Sequence, residues 1–220
     1  NAAAYARSVI DEPRYAREKN RKLPRKIGSR LALFDCITCD KCVPVCPNDA
    51  NFTFTLPPAE IPRVRLLRRG DRWETEEHGT IVIAARHQIG NFADLCNDCG
   101  NCDVFCPEDG GPYKIKPRFF GTREGWADPA AGDGFFIETQ GERVRVAGRF
   151  EGNEFHAAIE DGRVDYSGDG FAIRFDPRDP PGTAKGEASV PVDLTWFRIL
   201  DLLQRSILSA SEVNYISCRG

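Results

Sequence analysis

Eight of the nine cysteines in this 220-residue chain fall into two runs of four, Cys36-Ile-Thr-Cys39-Asp-Lys-Cys42-Val-Pro-Val-Cys46-Pro47 and Cys96-Asn-Asp-Cys99-Gly-Asn-Cys102-Asp-Val-Phe-Cys106-Pro107. Both read C-x2-C-x2-C-x3-C-P. Three thiolates at this spacing can curl round three corners of an iron–sulfur cubane while the loop amides face its sulfides and offset its negative charge. The fourth cysteine of each run begins a separate strut. Zinc is the competing metal, because C-x2-C pairs also bind it. Zinc sites, however, generally join two such pairs across a longer spacer, and no histidine lies beside either run. With the second cysteine present in both runs (Cys39 and Cys99), each site is expected to hold [4Fe-4S], with no [3Fe-4S] form built in. Cys218, the ninth cysteine, reads as a free thiol. His78, His87 and His156 stand isolated in the sequence, and no catalytic acid, base or nucleophile is evident.

The paired motif resembles the bacterial two-cluster ferredoxins over about residues 31–120. That resemblance implies that the fourth cysteine of each run ligates the other run's cluster. Cys36, Cys39, Cys42 and Cys106 then hold cluster I, and Cys96, Cys99, Cys102 and Cys46 hold cluster II. Two loops distant in sequence become one electron-transfer unit. Pro47 and Pro107 should end the turns carrying the fourth cysteines and send the chain into strands. Near the first run lie Asp35, Asp40, Asp49 and Lys41; near the second lie Asp94, Asp98, Asp103, Glu108 and Asp109, with no base before Lys114. Negative charge disfavours an added electron, so cluster II is expected to have the lower potential.

What must position these loops is an α+β arrangement in four segments. Residues 1–30 form a basic N-terminal arm or linker, with an alanine-rich start of helical character and then Arg14, Arg17, Lys19, Arg21, Lys22, Arg25, Lys26 and Arg30; Pro24 argues against one unbroken helix. Residues 31–120 are the two-cluster domain. The 49 residues between Cys46 and Cys96 exceed what a minimal two-cluster protein needs. Strand-like stretches at Asn51–Thr55, Pro62–Arg69 and Thr80–Arg86, broken by Pro57-Pro58 and Gly70-Asp71, predict an inserted hairpin. Residues 121–192 are a β-meander, with apolar alternation in 134–175 and turns at Gln140-Gly141, Glu151-Gly152 and Asp161-Gly162. Gly-Asp-Gly-Phe occurs at Gly132–Phe135 and Gly168–Phe171, which turn chemistry explains. A Pro- and Gly-rich loop over 176–191 leads to residues 193–220, an amphipathic helix and tail. Its apolar residues Leu194, Phe197, Leu200, Leu203 and Ile207 either pack on the chain's own core or dock on a partner.

A hydrophobic content of 41% suffices for a core, and a net charge of −3 gives no global reason to expect nucleic acid or an anionic membrane. No apolar run reaches the length of a membrane span, and the N-terminus has no signal-peptide pattern. Cysteines grouped for metal ligation suit a reducing compartment, so a cytoplasmic location is expected. The chain starts at Asn1 and contains no methionine, from which a processed terminus or a piece of a larger protein is expected.

Finer detail narrows the likeness. Asp35–Ala50, Cys96–Pro107, Gly111-Pro-Tyr113, the meander and the tail Glu212–Ser217 resemble the C-terminal region of proteins classed as selenate reductase iron–sulfur subunits. In that family a flavin and NAD(P)H module, similar to those of the glutamate synthase small subunit and dihydropyrimidine dehydrogenase, precedes such a domain. The resemblance implies FAD and NAD(P)H in the rest of the protein or in a partner, together with a downstream redox subunit such as a molybdenum hydroxylase. No G-x-G-x-x-G follows a strand in this chain. The function expected is electron transfer through two [4Fe-4S] clusters as part of a multicentre flavin-linked oxidoreductase. The alternatives are a freestanding ferredoxin-type carrier and a structural cluster module in a nucleic-acid-processing protein. For the last, the basic arm is the sole support and aromatic interleaving is lacking.

Overall fold

A computed structural model describes residues 2–13, 18, 30–210 and 214–216. Most of the basic arm, with Arg14, Arg17, Lys19, Arg21, Lys22, Pro24, Arg25 and Lys26, lies outside the described residues, as do Cys218 and, from the tail, Glu212, Val213 and Ser217. Helix α1 occupies Ala2–Val9, and Arg30 makes a parallel bridge to Asp109.

Among the described residues, nine strands form one sheet in the order β1-β4-β5-β6-β7-β8-β9-β10-β11, and three form another in the order β12-β2-β3. Strand β1 (Asn51–Thr55) runs antiparallel to β4 (His87–Phe92), and β4 pairs in parallel with β5 (Arg118–Phe120). Strand β5 also pairs in parallel with β6 (Gly134–Gln140). An antiparallel meander follows: β7 (Arg143–Phe150), β8 (Asn153–Glu160), β9 (Arg163–Gly168), β10 (Phe171–Phe175) and β11 (Lys185–Ala188). The sheet therefore runs unbroken across residue 120. The cysteine segment and the meander share one hydrogen-bonded surface.

The hairpin between the cysteine runs consists of β2 (Ala59–Arg69) and β3 (Arg72–Ile83), turning at Gly70-Asp71. It begins earlier than the expected Pro62, and its second strand starts at Arg72, where Thr80 was expected. Charged residues such as Glu74, Glu76 and Glu77 face water on both sides of β3, so no apolar alternation marks it. Val192–Asp193 forms β12 and joins this hairpin.

Strand β4 lies where no strand was expected, because Gln88, Gly90 and Asn91 break the apolar pattern. Two of these polar side chains are buried with specific partners. Gln88 donates to Asp35 (2.9 Å) and to the Ala85 carbonyl (2.7 Å), and Asn91 donates to Asn51 (2.9 Å). The segment expected as a loop over 176–191 instead contains the short helix Pro180–Thr183 and strand β11.

Helix α2, Leu194–Leu208, is capped by the Asp193 carboxylate, which accepts from the Thr195 amide at 2.9 Å. Leu194, Phe197, Leu200, Leu203 and Ile207 are all buried. They pack with Phe119, Phe135, Phe155, Tyr166 and Phe175 of the large sheet, so the helix closes the protein's own core. The two Gly-Asp-Gly-Phe copies play different parts. In the first, the Asp133 carboxylate accepts from the Glu151 and Gly152 amides across the β7–β8 turn; in the second, Gly170 (φ +76°) turns β9 into β10.

Candidate iron–sulfur site

Strands β1 and β4 fix the two cysteine loops against each other. β1 begins five residues after Cys46, and β4 ends four residues before Cys96. The buried Asn51 and Asn91 face each other in this ladder, and Asn51 also donates to the Cys42 carbonyl at 2.9 Å. At the far end of the chain, Tyr215 stacks on Phe92 (4.9 Å between centroids) and donates to the Asp49 carbonyl at 3.0 Å. These three residues couple the loops, and motif reading had missed them. For Asn51 and Asn91 the signal was polar character placed close to the cysteine runs; Tyr215 carried no local signal.

The two loops share one backbone pattern. Thr38 and Asp98, each directly before the second cysteine, have φ of +47° and +54°; Asp40 and Gly100, each following the second cysteine, have φ of +56° and +76°. A side-chain-bearing residue at positive φ costs about 1–2 kcal/mol, and three of these four positions bear one. Alternating handedness of this kind turns successive amides toward one centre and makes an anion-binding concavity. The fourth cysteines each accept a backbone amide, from different positions along the chain. The Ala50 amide donates to Cys46 Sγ (3.3 Å) and the Glu108 amide to Cys106 Sγ (3.4 Å).

Cys36, Cys39, Cys42 and Cys106 line a single cavity with Ile37, Ile89, Pro107, Glu108 and Lys116. Three cysteines from the first run and one from the second thus border one space. Cys42 and Cys102 pack together with Ile89, which brings the second loop against the first. Cys46 lies close enough to Cys102 to hinder its ionisation, and the side chains of Asn51 and Asn91 favour the thiolates of Cys102 and Cys96. Among the described residues, no three His, Cys, Asp or Glu side chains close on one point as a single ion requires.

Burial, with the Cys36, Cys102 and Cys106 sulfurs adding to it, pushes the Cys42 thiol up to about 12. Burial also raises Cys96 and Cys102. Thiols held this way ionise only when a metal takes the proton's place. The donor set, the two concave amide loops and the apolar wall fit a thiolate-bound iron–sulfur cubane.

The charge map differs from the expected one. Glu108 is buried in the wall of the first quartet's cavity, where its carboxylate accepts from the Ile37 amide at 3.4 Å. It had been counted with the second run because Cys106 belongs to that run; the fold places both Cys106 and Glu108 on the cavity of Cys36, Cys39 and Cys42. Lys116, 2% exposed, lines the same cavity. Burial lowers its pKa, opposed by Cys36, Glu108 and Asp35. His87, isolated in sequence, meets Asp40 of the first loop at 2.7 Å. Pro107 leads not directly to a strand but to the short helix Pro112–Ile115.

Asp35 ties the first loop to the β3–β4 corner, accepting from the amides of Ala84 (2.6 Å) and Ala85 (3.1 Å) and from Gln88. Burial raises its pKa, but those donors and Lys116 outweigh burial and hold it below the usual value. Asp35→Ala leaves two backbone amides without this acceptor and is expected to cost about 2–3 kcal/mol. Thermal unfolding would show it as a midpoint lower by about 5–10 °C; an unchanged midpoint would remove Asp35 as the anchor.

Residues 32–109 match the family model described as a 4Fe-4S dicluster domain. Over 108 residues the chain is 32% identical to the protein named "Putative oxidoreductase YgfK" of Escherichia coli strain K12 and to its namesake in Escherichia coli O157:H7. Each match takes in 49% of this chain and 8% of the relative, so the chain spans a small part of those proteins. No solved structure matches. No described helix is long and apolar enough to cross a membrane. Motifs and matches together support an iron–sulfur domain at residues 32–109 that binds [4Fe-4S] and serves electron transfer.

Proposed function

We propose that the chain holds two [4Fe-4S] clusters, cluster I on Cys36, Cys39, Cys42 and Cys106 and cluster II on Cys96, Cys99, Cys102 and Cys46, and relays electrons inside a multicentre flavin-linked oxidoreductase. The observation that carries this reading is the meeting of Cys106 with Cys36, Cys39 and Cys42 around one cavity. Sulfurs spread around a space suit a cubane with a thiolate on each corner better than a single tetrahedral ion. The arrangement proposed is that of the bacterial two-cluster ferredoxins, with β2–β3 as the insertion.

When bound, each cluster supplies a one-electron couple. The chain's own residues do the rest. Cysteine thiolates anchor the irons, the left-handed loops aim amides at the sulfides, and Ile89, Pro107 and Pro112 keep water from the first site. FAD and NAD(P)H are assigned to a longer protein or a partner, as is a downstream redox subunit. Support comes from the much greater length of the oxidoreductase relatives. A reducing compartment such as the cytoplasm suits such clusters.

Iron and acid-labile sulfide analysis of anaerobically prepared protein tests the cluster content. About eight irons per chain are expected, with the spectrum of two interacting paramagnets after full reduction. Tightly bound zinc without sulfide would refute the reading. Co-purification of the native protein with a flavin-bearing chain tests the context; a lone chain shuttling electrons would favour the freestanding carrier.

A further inference from the structure

We propose that Lys116 positions a fixed positive charge against the cluster of the first quartet and makes it the higher-potential member of the pair. This rests on the two-cluster reading above. Lys116 follows the short helix Pro112–Ile115, its amide closing the last turn on the Pro112 carbonyl at 3.0 Å. Its ammonium reaches across to donate to the Ala32 carbonyl at 2.8 Å, just before the first loop. The side chain is 2% exposed and shares a wall with Cys36, Cys39, Cys42 and Cys106.

Burying an ammonium costs several kcal/mol unless charge or hydrogen bonds offset it. One carbonyl is a weak offset. Glu108 on the same wall, Cys36 and Asp35 offset part of that cost, and a cubane carried by four thiolates brings further negative charge. Reduction adds one electron and one negative charge. A nearby cation in dry surroundings stabilises the reduced form and raises the potential, with little relief from salt. Lys41 is exposed, so its influence is screened. Around the second run, Asp94 and Asp98 are exposed and screened in the same way, while the half-buried Asp103 acts in the opposite sense. Electrons then settle on the first quartet before the second.

Redox titration of the protein carrying both clusters tests this. Lys116→Gln should lower the couple reduced first by at least tenfold in its equilibrium constant, 59 mV for one electron, at both low and high salt, while the couple reduced second stays in place. Lys116→Arg should keep the parent value. Glu108→Gln should move the same couple upward. A purely structural role predicts the same direction of shift for Lys116→Gln and Glu108→Gln, and that outcome overturns the proposal. So does an unmoved first couple, or a shift confined to the second. If Lys116→Gln fails to bind iron, the arginine and Glu108 variants decide alone. Failure of the underlying reading is seen separately, as parent protein without two couples.

Discussion

Cys46→Ala is expected to remove the cluster held by the second cysteine run and to spare the one held by its own neighbours. Half of the bound iron should go. Iron content alone cannot say which half, but paired substitutions can. If Cys46 serves the same cluster as Cys99, then Cys46→Ala with Cys99→Ala keeps the half that either single variant keeps. Cys46→Ala with Cys39→Ala strikes both clusters and leaves no iron. Should each run instead serve itself, the pattern inverts: the Cys39 pair keeps half and the Cys99 pair keeps none. The mirror experiment uses Cys106→Ala, which should be redundant with Cys39→Ala. The structural basis is the cavity lined by Cys36, Cys39, Cys42 and Cys106, together with the closeness of Cys46 to Cys102. Four double variants measured for iron and sulfide separate the two ligand sets.

The meeting of Cys106 with Cys36, Cys39 and Cys42 around one cavity shows which parts of the site could be read from the chain alone. Cysteine spacing is a local property, so the donor set stands in the sequence. Charge around a site is a property of folded space, and counting acids along the chain placed Glu108 with the wrong quartet. Lys116 was invisible for the same reason: it follows Cys106 by ten residues and reaches Cys36 only through the fold. The Asn51–Asn91 pair carries a subtler lesson. Polar residues inside a short segment normally argue against a buried strand, yet each has a partner on the neighbouring strand. That pairing is what allows β4 to lie at the centre of the cysteine segment.

Elements outside the site divide along similar lines. The helix Leu194–Leu208 was legible because one face carries leucine and aromatic residues at helical spacing and an aspartate caps it. The meander turns at Glu151-Gly152 and Asp161-Gly162 were legible because positive φ at both central residues, +51° and +77°, then +49° and +69°, favours such pairs. Strand β5, three residues long, had too little pattern to show a period. Yet it links the cysteine segment to the meander. With it, the segments expected at 31–120 and 121–192 share one core, to which they contribute residues from Phe34 to Val192.

Where that joint is held, one buried cation dominates, and its loss should be among the largest single effects on stability. Arg149 on β7 is 6% exposed. Its guanidinium donates to the carbonyls of Gly132 (2.7 Å) and Trp126 (3.0 Å) and, in a fork, to Glu154 (3.0 and 2.8 Å), and it lies 5.0 Å from the centre of the Trp126 ring. These bonds pin helix Arg123–Ala127 and the turn before β6 onto the meander. Arg149→Ala strands two inward carbonyls and opens a cavity under Trp126. Glu154, about half exposed, can rehydrate and adds little. A loss of about 3 kcal/mol is expected, near 1–2 kcal/mol for each stranded carbonyl, and hence a midpoint lower by about 9 °C. Arg149→Lys keeps the charge but not the planar fork and should recover less than half of it. Arg174, whose pair with Asp165 is exposed, is the control: Arg174→Ala should stay within about 0.5 kcal/mol. Equal losses at the two positions would mean that charge count, and not the buried fork, governs the joint. Because Arg149 touches no part of the cysteine cavity, the folded fraction of each variant should keep its iron, which separates the stability of the sheet from the assembly of the clusters.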